Sequence, residues 1–444
     1  MSRRFGVQAV LLLLSIGLFV SVHGQSSTAG NITGTVRDPQ GGAVPKADVT
    51  IEEEKTGASR TVTTNDDGFY NAPSLPAGRY SVSTAPPGFK KTVAANVDLH
   101  VSENKTVNLE LQVGQVTETV TISSDAAPVE TRSGEVSSLI AEKQVTELPL
   151  NGRNYAQLAL MVPGISQAGS FAARGTGLDS NVDMSVNGNQ SNANLWTIDG
   201  VNNMDVGSNA TLLVFPSIDS IAEFRVERNS FSAEYGQAQG AVINLITKGG
   251  GNEFHGAGFY FLRDDSLNAA DAFLKANPAK DAKGNTISKG ALKYKNFGFN
   301  FNGPIVKNRG FFFWSEEWRR EKRGQTLPQQ KVPTAAEKIG DFSGPRTGPL
   351  PHIPGTCRPD PAGGTICDPF PGNKIPTAQL SPAGLAILKV FPDPNGPNGL
   401  WVDAPTQPVN TRQDSIRGDV NITDNMNLMV RYINEYWIHG RFDR

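Results

Sequence analysis

The chain has 444 residues, a length for roughly two to four domains, and a net charge of −2. That near balance offers no basic excess for nucleic acid and no acidic excess for a disordered tail. Forty-six Gly, 29 Pro and 38% hydrophobic residues describe a turn-rich, strand-rich chain with few helix formers.

The first residues read as a leader. "MSRRFGVQAVLLLLSIGLFVSVHGQ" carries Arg3 and Arg4, an apolar run from Val7 to Val20, then Val22 and Gly24. This three-part layout predicts a secretory signal peptide over 1–24, cleaved after Gly24. The competing reading is a membrane anchor, but the run falls short of the roughly 20 residues a helical span needs. No later window has the composition of a transmembrane helix.

Residues 28–112 alternate short β-prone runs with turn clusters. "GNITGTVRDPQGGAVPKADVTIEEEKTG" is strand, turn, strand, with Asp38, Pro39, Gly41 and Gly42 in the turn. "RTVTTNDDGFYNAPSLPAGRYSVSTAPPGF" repeats that rhythm, with Phe69, Tyr70, Tyr80 and Val82 as packing residues. About seven strands in this length predict a small β-sandwich. The segment 113–122, "VGQVTETVTI", is a linker ending in a β-prone run. Residues 123–250 mix short helical pieces with strands such as "NLWTIDGV", "IAEFRVERN" and "GAVINLITKGG", which predicts an α+β domain.

From Gly251 the texture changes. Five segments of about ten residues have an alternating or aromatic-rich pattern: 253–263, 296–305, 310–320, 414–423 and 427–436. Their connections run long, short, long, short. About 32 residues precede the second strand, "VKNR" precedes the third, some ninety precede the fourth, and "DNM" precedes the fifth. Antiparallel strands joined by tight turns at one end and long loops at the other describe a transmembrane β-barrel. The alternative is an extracellular sandwich with long insertions. In "NFGFNFNGPIVKNRGFFFW" (296–314), Phe297, Phe299 and Phe301 fall on one side, expected to face lipid. Gly298, Asn300 and Asn302 fall on the other, and Phe311 to Trp314 are expected in the interface belt.

Only Cys357 and Cys367 occur. In an exported chain, and in a Pro/Gly-rich stretch, they predict one disulfide closing a short loop. With His352 the only nearby imidazole, they make a poor zinc set. His100 and Glu103 have the spacing of half a carboxypeptidase zinc site but lack a third ligand, so no enzyme, metal or cofactor is expected. Asp199 in "TIDG" reads as a turn residue. The Asn sequons at Asn31, Asn104, Asn189, Asn209 and Asn421 are read as chance.

The residues 28–112 resemble the carboxypeptidase regulatory-like domain, a transthyretin-like sandwich among carbohydrate-binding-like folds, through Gly34 to Val36, Gly41 to Ala47, Thr64 to Tyr70, Leu75 to Tyr80 and Gly88-Phe89. The rest resembles a TonB-dependent outer-membrane receptor of the Oar-like type. "LPLNGRNY" (148–155), "MVPGI" (161–165) and "TIDGV" (197–201) resemble its plug domain. Residues 221–269 resemble the plug's end and first barrel strand, and 296–318 the next two strands. "TETVTI" (117–122) resembles the TonB box, with Glu118, Thr119, Val120, Thr121 and Ile122 as candidates.

The resemblance implies a mainly β chain: signal peptide (1–24), transthyretin-like β-sandwich (25–112), linker with the box (113–122), α+β plug (123–250) and the start of a barrel (251–444). It implies an outer-membrane location, a periplasmic N-terminal domain, lipid around the barrel and a TonB-type energising partner. The transported solute would be large: an oligosaccharide, a peptide or a metal chelate. The box is expected to stay exposed without a partner strand. Gly236, Gly240 and Gly249 to Gly251 are expected to leave room for the passage from plug to wall. About five strands stand where a plugged barrel has about 22, so an N-terminal fragment is expected. The other reading is an exported β-rich surface or adhesion protein that binds carbohydrate or protein through the sandwich.

Overall fold

The computed structural model describes residues 29–114, 119–123, 134–168, 181–233, 235–270, 272–276, 279–280, 286–287, 289–324, 330–344, 349–361, 363–395, 399–401, 406–423 and 426–440. The leader expected over 1–24, and Glu118, lie outside them. The chain divides into two compact units. The first comprises residues 1–257, 299–316 and 413–435. The second comprises 258–298, 317–412 and 436–444.

The first unit begins with a sandwich. Its strands are β1 (Gly30–Arg37), β2 (Asp48–Glu53), β3 (Ser59–Thr63), β4 (Phe69–Leu75), β5 (Gly78–Thr84), β6 (Lys91–Leu99), β7 (Asn104–Thr106), β8 (Leu109–Glu110) and β9 (Thr119–Ser123). One sheet is ordered β4-β1-β7, with β8 also on β1; the other is β3-β2-β5-β6-β9. Strict alternation in β1, buried at Gly30, Ile32, Gly34 and Val36, puts one face inward. Ile32, Val49, Ile51, Tyr70, Tyr80, Val82, Val97 and Leu109 fill the space between the sheets. The two tyrosines keep their hydroxyls satisfied, Tyr70 donating to Val107 O at 2.6 Å and Tyr80 to Pro76 O at 2.7 Å. A Cβ on Gly34 would overlap the Val107 carbonyl, so only glycine lets β1 pass there.

The plug follows in the same unit. Its strands are β10 (Val136–Ala141), β11 (Ile165–Gln167), β12 (Met184–Val186), β13 (Leu195–Ile198), β14 (Val201–Asn202), β15 (Ile221–Asn229) and β16 (Val242–Thr247). The main sheet is β10-β15-β16-β13-β14, and β11 pairs β12 separately. A short helix α1 (Glu142–Glu147) buries Val145 against the sheet. The core gathers Trp196, Tyr155, Phe224, Phe215, Leu245 and Ile243. Tyr155 lies 4.4 Å from Phe215 and 6.2 Å from Trp196, ring centre to ring centre.

The third architectural part is a five-stranded sheet: β17 (His255–Asp264), β18 (Leu292–Val306), β19 (Gly310–Gly324), β20 (Thr406–Thr423) and β21 (Met426–His439), hydrogen-bonded in chain order. Four of these strands run 14 to 18 residues, longer than the ten that cross lipid. Among the described residues no helix is long and apolar enough to cross a membrane. On the outer side Phe297 stacks with Tyr260 at 6.0 Å and Trp318 at 5.6 Å. In the first unit Phe299 meets Trp314 edge-on at 5.0 Å and Phe301 stacks with Phe254 at 5.8 Å.

The expected belt of Phe311 to Trp314 is split. Trp314 points outward, but Phe311 and Phe313 are 1% and 0% exposed and face inward. Strand pleat forces this: four consecutive aromatics cannot share one face. In the second unit Asn296, Arg319 and Glu321 are buried polar residues, with Asn296 donating to Glu317 at 2.6 Å and Arg319 above the Tyr294 ring.

Candidate functional site: the anchorage of the plug

β13 and β14 form a hairpin closed by Asp199 and Gly200. Both residues are left-handed, with φ of 45° and 83°. Such a pair makes the two-residue turn that twisted hairpins require, and Asp-Gly is a favoured sequence for it. The turn reading of Asp199 is therefore incomplete, because its buried carboxylate also has four hydrogen-bonding or ionic contacts. Oδ1 accepts from Thr247 N at 2.8 Å and Oδ2 from Thr247 Oγ1 at 2.6 Å. Arg431 of β21 donates to Oδ2 and, through its other nitrogen, to Ile198 O at 3.1 Å. Arg417 of β20 lies 3.9 Å away, donates to Thr247 O at 2.6 Å, and is itself forked onto Asp419.

A second contact lies at Phe215. Its backbone N donates to Glu435 at 3.0 Å, and its carbonyl accepts from Gln413. Ile433 packs on the plug core between them. Inward-facing side chains of β20 and β21 thus hold the plug through ion pairs and side-chain bonds to backbone. Sequence reading missed them. The available signal was parity: Gln413, Ser415, Arg417 and Asp419 occupy every second place of one strand, as do Arg431, Ile433 and Glu435 of the next.

The passage from plug to wall is tight at Gly250. A Cβ there would lie 2.5 Å from Phe312 O and 2.9 Å from Gly303 O. None of Gly236, Gly240, Gly249, Gly250 or Gly251 has positive φ, so close approach, not turn geometry, excludes a side chain at Gly250.

The sandwich is keyed into the plug by the turn after β6. His100 Nδ1 lies 2.7 Å from Glu223 Oε2, and Val101 N donates to Glu223 Oε1 at 2.8 Å. Arg225 donates to Val101 O at 3.3 Å, and the Val101 side chain is fully buried. Ser102 reaches Tyr235 at 3.4 Å and Asn244 at 3.3 Å. Asn244 also donates to Glu227 at 3.0 Å and Tyr235 at 2.8 Å, and accepts from Thr197 at 2.7 Å. The half zinc site is thereby accounted for: Glu103 accepts from His100 N at 2.8 Å, and the imidazole is paired with Glu223. Donation of a hydrogen bond to the Glu223 carboxylate raises the His100 pKa against the opposing effect of burial. Burial, and then Glu135, push the Glu227 carboxyl up to about 7.

The candidate box differs from its expected state. Thr119 to Ile122 belong to β9, which pairs parallel to β6, Lys91 opposite Thr119 and Ala94 opposite Ile122. The exposed edge of β6 leaves backbone groups unpaired, and an alternating β-branched segment satisfies them. Cys357 and Cys367 are joined, S–S 2.10 Å, with His352 within 4.8 Å of both sulfurs. A disulfide offers no thiolate to a metal.

A sandwich, a plug sheet and a five-stranded sheet tied to the plug by inward charges are the parts of a plugged outer-membrane receptor. Residues 31–112 match the carboxypeptidase regulatory-like domain, 129–242 the TonB-dependent receptor plug domain, and 246–439 the outer membrane beta barrel domain. The chain thus carries the plug and barrel domains of TonB-dependent outer-membrane receptors. It is 26% identical over 334 residues to the TonB-dependent transporter Oar of Myxococcus xanthus, covering 71% of this chain and 29% of that protein. Among solved structures it is similar to the siderophore receptor PirA of Acinetobacter baumannii (16% identity, TM-score 0.37, 68% of this chain and 32% of that one). It is also similar to the outer membrane transporter YddB of Escherichia coli (11% identity, TM-score 0.40, 68% and 33%).

Proposed function

We propose that this chain is part of a transporter that takes up a large solute across the outer membrane, driven by a TonB-type energising protein. The solute class is an oligosaccharide, a peptide or a metal chelate. The sandwich lies in the periplasm, delivered by a cleaved leader, and lipid surrounds the strand sheet. The observation that carries the reading is the plug seat. Asp199 and Phe215 are held by four side chains, Arg417, Arg431, Gln413 and Glu435. A few polar contacts can be exchanged for water as the plug moves, at far less cost than exposing a wide apolar seam. The reading assigns the chain no catalytic step.

The test is fractionation followed by uptake. The full-length gene product should remain in outer membranes after a salt wash. Cells should accumulate a labelled member of an oligosaccharide, peptide or ferric-chelate panel only while the tonB-type gene is intact. Recovery in the salt-washed soluble fraction would favour the surface-adhesion reading instead. Uptake unaffected by loss of the energising protein would sink the transport reading.

A further inference from the structure

We propose that the sandwich and the plug move as one body: the joint between them holds, and the seam that opens is the one between the β2–β3 turn of the sandwich and the tight turn joining β18 to β19. The inference rests on reading the chain as a transporter whose plug moves.

The two contacts of the sandwich differ in kind. The inner one is the turn His100 to Ser102, whose polar groups are met by side chains of the plug. Val101 is fully buried, its N–H donates to Glu223 and its carbonyl accepts from Arg225. The partners are buried as well: Arg225 is 5% exposed and Asn244 0%. Asn244 donates to Ser102 at 3.3 Å while also donating to Glu227 at 3.0 Å, so the contact continues into the centre of the plug sheet. Drawing the turn out would take a partner from a buried cation, a carboxylate and an amide together, and such networks are costly to break.

The outer contact is exposed and thin. Lys55 O accepts from Asn252 N at 2.9 Å. Asn252 and Asn308 exchange two exposed hydrogen bonds, at 2.7 and 2.8 Å. Gly57 stands over Asn308: a Cβ there would lie 2.9 Å from Asn308 Oδ1. Beside this contact a cavity of about 150 Å³ separates Gly57 to Ser59 from Asn308, Arg309 and Asn421. Exposed amide bonds exchange for water with little net loss, whereas buried ones do not. A load that shifts the plug therefore parts the outer seam first and carries the sandwich with it.

The experiment uses the full-length receptor in detergent with Gly57→Cys and Asn308→Cys, a pair that ties the sandwich to the β18–β19 turn when oxidised. Both positions are left-handed, with φ of 69° and 61°, so the reduced form of the same protein is the reference. Urea is raised, and opening of the plug is read as deuterium uptake at β16, residues 242–247. Oxidation should raise the plug's urea midpoint by at least about 1 M. Part of that rise comes from the loop the bridge closes around the plug. Glu223→Ala in the same protein keeps the loop and breaks the joint, and should remove at least about half of the rise. No rise, or an equal rise with and without Glu223, shows that the joint does not carry the plug, and overturns the inference. If the pair does not close, Ser59→Cys and Asn308→Cys, on opposite sides of the cavity, are joined with a bis-methanethiosulfonate and read in the same way. Failure of both pairs to join means that the β2–β3 turn does not stand over Asn308, which overturns it too. The measurement needs no solute and no energising protein, so failure of the transport reading shows in the uptake assay alone.

Discussion

At Asp199, charge and turn can be separated experimentally. Asp199→Asn keeps a residue that tolerates left-handed φ and can still accept from Thr247 N. It leaves Arg431 facing a neutral group, while Arg417 keeps Asp419. Leaving a buried cation without its counter-charge costs about 3 kcal/mol. Lower thermal stability in detergent and easier passage of a large antibiotic through the outer membrane are expected; unchanged values in both assays would remove Asp199 from the seat. The key turn carries a pH dependence. Glu227 holds a proton up to about pH 7 in the fold, against 4.5 in the free side chain. Its contribution therefore falls as pH rises from 4.5 to 7, by at most about 3 kcal/mol, and is level above. His100, raised by Glu223, acts in the same direction: its gain is full below 6.5 and is lost as pH climbs through the higher folded value. Thermal unfolding from pH 5 to 8 should show lower stability at the alkaline end, and Glu227→Gln should flatten the slope below pH 7.

Elements carry the membrane and packing arguments. Phe301 is 41% exposed on the outward side of β18. On the proposed reading that this face meets lipid, Phe301→Arg should cost up to about 2–4 kcal/mol and reduce the folded, heat-modifiable band recovered from outer membranes. Phe313→Arg would test a different surface, because that ring faces inward. Gly250→Ala forces a methyl against the carbonyls of Phe312 and Gly303, with an expected loss of about 1–3 kcal/mol, seen as a lower unfolding temperature. The alternation of Phe297, Phe299 and Phe301 made β18 legible from sequence, since a row on one face of a strand repeats every second residue. "GFFFW" was not legible: both faces of that stretch are apolar, so parity had nothing to distinguish. The plug seat was hidden for another reason. Asp199 and Arg431 are 232 positions apart, and no local pattern announces a contact of that range.

Across the whole molecule, plug contacts and the disulfide loop fall in different compact units. Cys357 and Cys367 close a short loop within the long connection between β19 and β20. Serine at both positions should loosen that loop by about 3 kcal/mol. Faster cleavage by a protease added to whole cells is expected, with insertion into the outer membrane and the thermal stability of the plug seat unchanged. A loss of insertion would mean the loop has a part in assembly. The order sandwich, plug, wall was readable because each part has its own periodicity and turn chemistry. The keyed turn His100 to Ser102 was not, because its partners Glu223 and Asn244 belong to another part of the chain.

The hairpin tip at Asp199 has a consequence for how this chain can change over time. The backbone there wants Asn, Asp or Gly; the cations beside it want a carboxylate. Asparagine meets the first demand only, and glutamate the second only. Single-step drift at this position is therefore closed, and substitution must begin at Arg431, where the loss of one cation still leaves Asp199 with Thr247 and Arg417. The permitted order of mutations is set by a turn of two residues.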